Sequence, residues 1–136
     1  MRIAVLSDIH ANLPALDAVL AAVGPVDAIW HLGDVVGYGP DPDGVVERLR
    51  EIGAIGVKGN HDAAAVEWTR ARISRGTAAW LDALPQAVRD GDCTLVHGSP
   101  REPIWEYVTS VPVARTNLGV LETRIGLHGH THLPVA

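Results

Sequence analysis

A chain of 136 residues with 11 basic and 16 acidic side chains, a formal charge of −5, 47% apolar residues and one cysteine predicts a single globular domain that needs no disulfide framework. No apolar run reaches membrane-spanning length and the N-terminus enters a strand at once, leaving no room for a signal peptide, so the expectation is a cytoplasmic protein without membrane contact. No basic stripe with interleaved aromatic residues occurs, which excludes an extended nucleic-acid surface from the expected functions.

The first predicted strand runs from Arg2 to Ser7 through Ile3, Ala4, Val5 and Leu6, and stops at Asp8-Ile9-His10. Leu13, Leu16, Val19, Leu20 and Val23 then recur at helical spacing, with Asn12 as cap, Pro14 in the first turn and Gly24-Pro25 as the stop. Ala28 to Leu32 reads as a second strand, ending at Gly33-Asp34. After the Gly39-Pro40-Asp41-Pro42 turn, Val45, Val46, Leu49 and Ile52 predict a helix over Asp43 to Ile52. Ala54 to Val57 is a third strand, leading into Gly59-Asn60-His61-Asp62. Helices follow near Ala63 to Arg72 and Thr77 to Leu84. Arg89-Asp90-Gly91-Asp92 reads as a hairpin turn joining Gln86-Ala87-Val88 to Cys93-Thr94-Leu95-Val96, after which comes His97-Gly98. A helix over Val113 to Leu121 and a strand from Arg124 to Leu127 complete the chain, which then reads Gly129-His130-Thr131-His132.

Short apolar runs followed at once by polar groups are the pattern of buried strands in an α/β sheet. Such sheets gather ligands at the carboxyl ends of their strands, so the five motifs can converge although they lie far apart in sequence. Five of the seven histidines fall inside them, and this mixture of Asp, His and Asn suits two divalent cations. Gly33, Gly59, Gly98 and Gly129 flank the proposed ligands and are expected to let the backbone turn there.

The order D-x-H, G-D, G-N-H-D, H-G, G-H-T-H resembles that of the calcineurin-like metallophosphoesterase superfamily. The wording Leu6-Ser7-Asp8-Ile9-His10-Ala11-Asn12, Gly33-Asp34-Val35-Val36-Gly37-Tyr38-Gly39 and Leu95-Val96-His97-Gly98-Ser99-Pro100 is similar to its small bacterial phosphodiesterase branch. The resemblance implies an α/β fold in which a β-sandwich is flanked by helices (αββα), as one domain over residues 1–136. It also implies that Asp8, His10, Asp34 and His132 bind one metal and that Asp34, Asn60, His97 and His130 bind the other, with Asp34 as the bridge. A carboxylate can share its oxygens between two cations, which agrees with that role.

By the same resemblance His61 is no ligand: it faces the substrate and stabilises the phosphoryl charge or protonates the leaving oxygen. Asp62 either orients His61 by a hydrogen bond or caps the helix that follows. The implied activity is a metal-dependent phosphoesterase, a phosphodiesterase first, in which a metal-activated water attacks phosphorus in line. Two Mn²⁺ ions are expected, with Fe, Zn, Co or Ni as substitutes, and the partner is a small phosphate-ester substrate. The alternatives are a phosphomonoesterase or dinucleoside-polyphosphate hydrolase, and a non-catalytic metal-binding scaffold for a protein partner. Cys93 has no adjacent base and no Gly-x-Ser-x-Gly elbow occurs, so no protein nucleophile competes.

Two features depart from the family pattern. The segment after Gly59-Asn60-His61-Asp62 is short, and the chain stops four residues after His132, where relatives carry further strands of the second sheet. The domain is therefore expected to be C-terminally incomplete, with exposed apolar surface and an unpaired sheet edge that a partner or a homo-oligomer contact could cover. Outside the motifs, Arg101 is expected to be an exposed loop arginine, with a bidentate phosphate contact as the alternative. Tyr38 and Trp105 are expected to pack in the core or at a rim, with a pocket for a base or an aryl leaving group as the alternative. His31 and His128 are expected to be hydrogen-bonded structural histidines, and Ser7 and Ser99 to hold loops.

Overall fold

The computed structural model describes residues 1–64 and 67–134. Ile3–Leu6 (β1), Ala28–His31 (β2) and Ile55–Gly56 (β3) form one sheet in the order β1-β2-β3, all parallel. Ala87–Asp90 (β4), Cys93–Val96 (β5) and Ile125–Leu127 (β6) form the other, with β4 antiparallel and β6 parallel to β5. β4 and β5 make the expected hairpin, whose turn passes through Gly91 at φ +54°.

Helix starts follow the capping side chains. Leu13–Val23 (α1) begins at Asn12, whose side chain accepts from the Ala15 N–H at 3.1 Å, and it stops at Gly24, φ +66°. Pro42–Glu51 (α2) starts one residue earlier than the periodicity predicts, because the Asp41 carboxylate accepts from the Gly44 N–H at 2.9 Å and Pro42 fits the first turn. The helix expected over residues 63–72 is two short ones, Asn60–Ala63 (α3) and Glu67–Arg70 (α4), with residues 65 and 66 of that expectation outside the described residues. Arg75–Ala83 (α5) starts before Thr77 because the Ser74 hydroxyl accepts from the Thr77 N–H at 3.1 Å. Val111–Leu118 (α6) is likewise shifted toward the N-terminus, and Pro112 fits its first turn.

The core has two parts. Leu16, Val45, Val46, Leu49 and Leu81, from α1, α2 and α5, close around Val35 and Val36 in the loop after β2. Trp30, Leu32, Val57 and Leu95, joined by Ile3, Val88 and Leu127, fill the space between the two sheets, which makes the pair a sandwich. Trp30 and Leu32 face the same side because side chains alternate along a strand. Burial therefore fixes where the chain leaves β2, directly ahead of Asp34.

An apolar groove of about 740 Å³ runs between β1, β5, β6 and α6, lined by Val5, Leu32, Val96, Leu118, Leu121 and Leu127 among others. Thr131 of the last motif lines it, but none of the proposed metal ligands does. Among the described residues β6 pairs only with β5, which leaves its other edge unpaired.

His31 departs from expectation. It is fully buried on β2 beside Trp80, and neither ring nitrogen has a hydrogen-bond partner among the described residues. Burial pushes its pKa down from 6.5 to about 4. The folded state thus holds His31 neutral while the unfolded state binds a proton below 6.5, so this residue withdraws stability as pH falls from 6.5 toward 4. Comparing the chemical unfolding of the wild type and of His31→Leu at pH 7 and pH 4.5 should show the variant gaining on the wild type in acid, by an amount on the order of 3 kcal/mol at most. A difference that does not change with pH would show that His31 is solvated or charged in the fold.

Candidate metal centre

β1, β2 and β3 run parallel, as do β5 and β6, so the motifs leave their sheets at carboxyl ends. The motif loops are then tied to one another. Asp8 N–H donates to the Gly33 carbonyl at 3.2 Å, His10 N–H to the Asp34 carbonyl at 2.9 Å, and Gly129 N–H to the His97 carbonyl at 3.0 Å. His130 N–H donates to Asp8 Oδ2 at 3.2 Å and so links the two sheets across the site.

The candidate ligand atoms gather in two groups, Asp8–His10–His132 and Asp34–His97–His130, joined by a third made of His10, Asp34 and His61. In the first, His132 Nε2 lies 3.3 Å from Asp8 Oδ1 and 3.3 Å from His10 Nε2, while His10 Nε2 lies 3.8 Å from Asp34 Oδ2. In the second, His97 Nε2 lies 3.4 Å from Asp34 Oδ2, 2.8 Å from Asn60 Oδ1 and 3.1 Å from His130 Nδ1. Ligand atoms about 2.0–2.2 Å from a shared cation, at tetrahedral to octahedral angles, lie roughly 3.0–3.5 Å apart. The spacings match that range apart from the longer His10–Asp34 edge, the His10–Asp8 edge at 4.0 Å and the shorter His97–Asn60 edge. Asp34 Oδ2 faces His10 of the first group and His97 of the second.

Backbone carbonyls select the ring tautomers. His97 Nδ1 faces the Leu32 carbonyl at 2.7 Å and His10 Nδ1 faces the Val36 carbonyl at 3.2 Å. A carbonyl only accepts, so each Nδ1 carries the proton and each Nε2 lone pair points into the site. Ser7 holds Asp8 in place, its hydroxyl donating to Oδ2 at 2.6 Å. Asp8 Oδ1 is buried and has no hydrogen-bond partner among the described residues. An orphaned carboxylate oxygen facing unprotonated imidazole nitrogens is costly without a positive charge, and a divalent cation supplies it. The donor set of imidazoles, two carboxylates and one amide oxygen fits the expected metals.

The protonation balance agrees. Burial lowers His10 despite the nearby Asp34 charge, and burial together with His97 lowers His130, so both rings are held neutral as ligands must be. Burial alone would raise Asp34, but His97 and the His61 N–H reverse this and hold the carboxylate below its usual range. Burial works against a charge on His97 as well, yet the hydrogen bond and charge of Asp34 raise it above its ordinary value. Without a cation, His97 and Asp34 compensate each other.

Glycine does less of the turning than the sequence suggests. Asp8, His10, Asp34, His130 and His132 themselves adopt left-handed backbone, with φ between +51° and +68°. Non-glycine residues rarely do so, and such strain collects at functional sites. Of the four flanking glycines only Gly33 has positive φ, at +87°. Gly59 and Gly129 are needed for close approach instead, since a Cβ would collide with Asp34 at the first and with Ser7 at the second.

His61 and Asp62 diverge. The His61 N–H donates to Asp34 Oδ1 at 2.8 Å, and its ring lies 5.0 Å from that of His10, at the rim of the first cluster. The expected hydrogen bond from Asp62 to His61 is not made, and Asp62 does not cap a following helix. Asp62 is buried, and its carboxylate accepts from the N–H groups of Val35, Val36 and Gly59 at 3.0, 3.1 and 2.9 Å. It fastens the Asp34 loop to the start of α3.

Of the remaining expectations, His128 reaches the Gly129 carbonyl at 3.3 Å. Ser99 donates to Glu106 at 2.6 Å, and Arg101 is an exposed loop arginine paired with Glu106. Tyr38 and Trp105 lie outside the core, 79% and 54% exposed, and the Tyr38 ring sits at the rim beside His10 and His61. Tyr107, which the sequence gives no reason to single out, stacks on His130 with ring centroids 3.7 Å apart.

The model of the calcineurin-like phosphoesterase superfamily domain matches residues 1–136. The chain is 35% identical over 156 residues to the uncharacterized protein MJ0912 of Methanocaldococcus jannaschii, covering 97% of this chain and 63% of that protein. It is 34% identical over 148 residues to the phosphodiesterase YfcE of Escherichia coli, covering all of this chain and 72% of YfcE. The crystal structure of a metallophosphoesterase from Sphaerobacter thermophilus superposes with a TM-score of 0.94 at 45% identity, over 98% of this chain and 62% of that one. The chain thus spans less than two thirds of the length of two of these relatives. With matching motif order, fold and strand-end site, the chain belongs to the calcineurin-like phosphoesterase superfamily.

Proposed function

We propose that this protein is a metal-dependent phosphodiesterase with a dinuclear centre. The observation that carries the proposal is the position of Asp34 Oδ2 between His10 of one candidate ligand group and His97 of the other, and likeness to a named phosphodiesterase supports the choice of ester. Asp8, His10, Asp34 and His132 would hold one ion, and Asp34, Asn60, His97 and His130 the other. Mn²⁺ is the proposed ion, since carboxylate, imidazole and amide oxygen together suit it and its first-row neighbours. Two divalent cations bound there polarise the phosphoryl oxygens and lower the pKa of a water for in-line attack on phosphorus.

The protein's own groups do the rest. The Leu32 and Val36 carbonyls keep the imidazoles in their ligating tautomers. His61, anchored through its N–H to Asp34, offers a ring nitrogen at the rim, where it can balance phosphoryl charge or donate a proton to the departing oxygen. Asp62 acts on position alone, through the backbone of the Asp34 loop. The substrate is a small phosphate ester and the setting the cytoplasm; no helix among the described residues is long and apolar enough to cross a membrane. A phosphomonoesterase or dinucleoside-polyphosphate hydrolase would use the same groups, whereas a non-catalytic scaffold would have no need of His61.

Chelator-stripped protein should lack activity on bis(p-nitrophenyl) phosphate and regain it with Mn²⁺. Failure of the metal to restore turnover on diesters, monoesters or dinucleoside polyphosphates would favour the scaffold. His61→Ala should lower kcat by about 10²- to 10⁴-fold at unchanged metal content; coincident loss of metal would make His61 a ligand. Asp34→Asn should weaken both metal sites together when stoichiometry is measured by atomic emission, and one site keeping full affinity would rule out the bridge. Metal affinity should also fall as pH drops through the raised pKa of His97, because a protonated ring cannot ligate. Affinity that is constant between pH 7.5 and 5.5 would remove His97 from the ligand set.

A further inference from the structure

We infer that Tyr38 is a specificity residue: its ring forms the wall against which the leaving alcohol packs, so that the site favours phosphate esters whose alcohol carries a flat aromatic ring. The inference rests on the phosphoesterase reading above and deepens it by naming a substrate class.

Tyr38 is 79% exposed, yet its ring sits at the site. Its centroid lies 4.7 Å from that of His10, edge-on at 67°, and 4.7 Å from that of His61, tilted by 50°. His10 belongs to the first ligand cluster and His61 is the group assigned to the departing oxygen. An alcohol leaving beside His61 therefore leaves within contact distance of the Tyr38 ring.

The backbone makes the case stronger. Tyr38 has φ +53°, a left-handed conformation that is unfavourable for a bulky residue. A ring so exposed buries little apolar surface, so its gain to folding does little to offset that strain. Fold stability would be better served by glycine or asparagine at this position. A ring held ready for a ligand accounts for tyrosine there.

The loop is also rigid. Gly39 N–H donates to the His10 carbonyl at 2.9 Å, Asp41 N–H donates to the Ala11 carbonyl at 3.1 Å, and Asp62 holds Val35 and Val36. Gly37 packs so closely on His61 that a Cβ would lie 2.6 Å from the ring Nδ1. The Tyr38 backbone is thus held in place before substrate arrives, which lowers the ordering cost of an aromatic contact.

The test measures dissociation constants of phenylphosphonate and methylphosphonate by calorimetry on the Mn²⁺-loaded chain, for wild type, Tyr38→Ala and Tyr38→Phe, with turnover of bis(p-nitrophenyl) phosphate in parallel. The wild type should prefer the phenyl compound by about fivefold or more. Tyr38→Ala should bring that ratio to about one with methylphosphonate affinity unchanged, while Tyr38→Phe should keep the preference. A phenyl preference that survives in Tyr38→Ala, in a chain that turns over substrate, overturns the inference and leaves the phosphoesterase reading standing. Equal weakening of both ligands with a lower kcat also overturns it, by making Tyr38 a residue that positions His61. A wild type that neither binds the phosphonates nor regains turnover with Mn²⁺ defeats the phosphoesterase reading, and the inference falls with it.

Discussion

The Asp34 carboxylate is the constraint on which the other parts depend. Oδ2 faces His10 of one candidate ligand group and His97 of the other, Oδ1 accepts from the backbone of His61, and the Asp34 carbonyl accepts from the backbone of His10. One residue thereby sets the position of the loop after β1, the loop before α3 and the rings that converge between them. Its burial would be unfavourable for a carboxylate with nothing to balance it. His97 and the His61 N–H supply the balance in the protein alone, and a cation would supply it more fully.

Holding this arrangement requires backbone that most sequences avoid. Five proposed ligands lie in the left-handed region, and each would relax if its loop were free. The loops are not free: Val35 and Val36, which follow Asp34 directly, are fully buried in the helix-side core, and the N–H groups of both are taken up by Asp62. Packing and hydrogen bonding of residues next to the ligands thus maintain the ligands' strained geometry. This explains why a buried aspartate, Asp62, lies beside the histidine proposed to face the substrate.

What the sequence made legible follows from how local each signal is. Short apolar runs ending in Asp8, Asp34, Asn60, His97 and His130 marked strand ends correctly, because burial and polarity switch within one or two residues there. The α1 helix was read almost to the residue, since Asn12 and Gly24 are strong local stops. The starts of α2, α5 and α6 were misjudged, because periodicity begins only where a helix touches the core while capping by Asp41 and Ser74 sets the true start. Asp62 is harder to read for the opposite reason: two of its three donors lie on a loop 26 and 27 residues earlier in sequence. Tyr38 carried no periodic signal at all, and His31 looked like any strand histidine until its burial showed that it lacks a partner.

Charge links the metal centre to the stability of the fold. Asp8, Asp34 and Asp62 all lie within the tied loops, and burial pushes Asp62 up to about 6, with the Asp34 charge adding to the rise and the Gly59 and Val36 N–H groups opposing it. Three carboxylates with few fixed positive charges close by are a poor arrangement for an empty site. The nearest compensation comes from imidazoles, and burial disfavours charge on His10 and His130. Cation binding would remove this conflict, since it would neutralise the proposed ligands Asp8 and Asp34 and keep the imidazoles unprotonated. Because the same loops carry Val35, Val36 and the strand ends into the core, an ion that binds only the assembled site stabilises the sandwich as well as the chemistry. The strain in the ligand backbone and the crowding of acids are thus two sides of one design, in which the fold is held in a geometry that a metal completes.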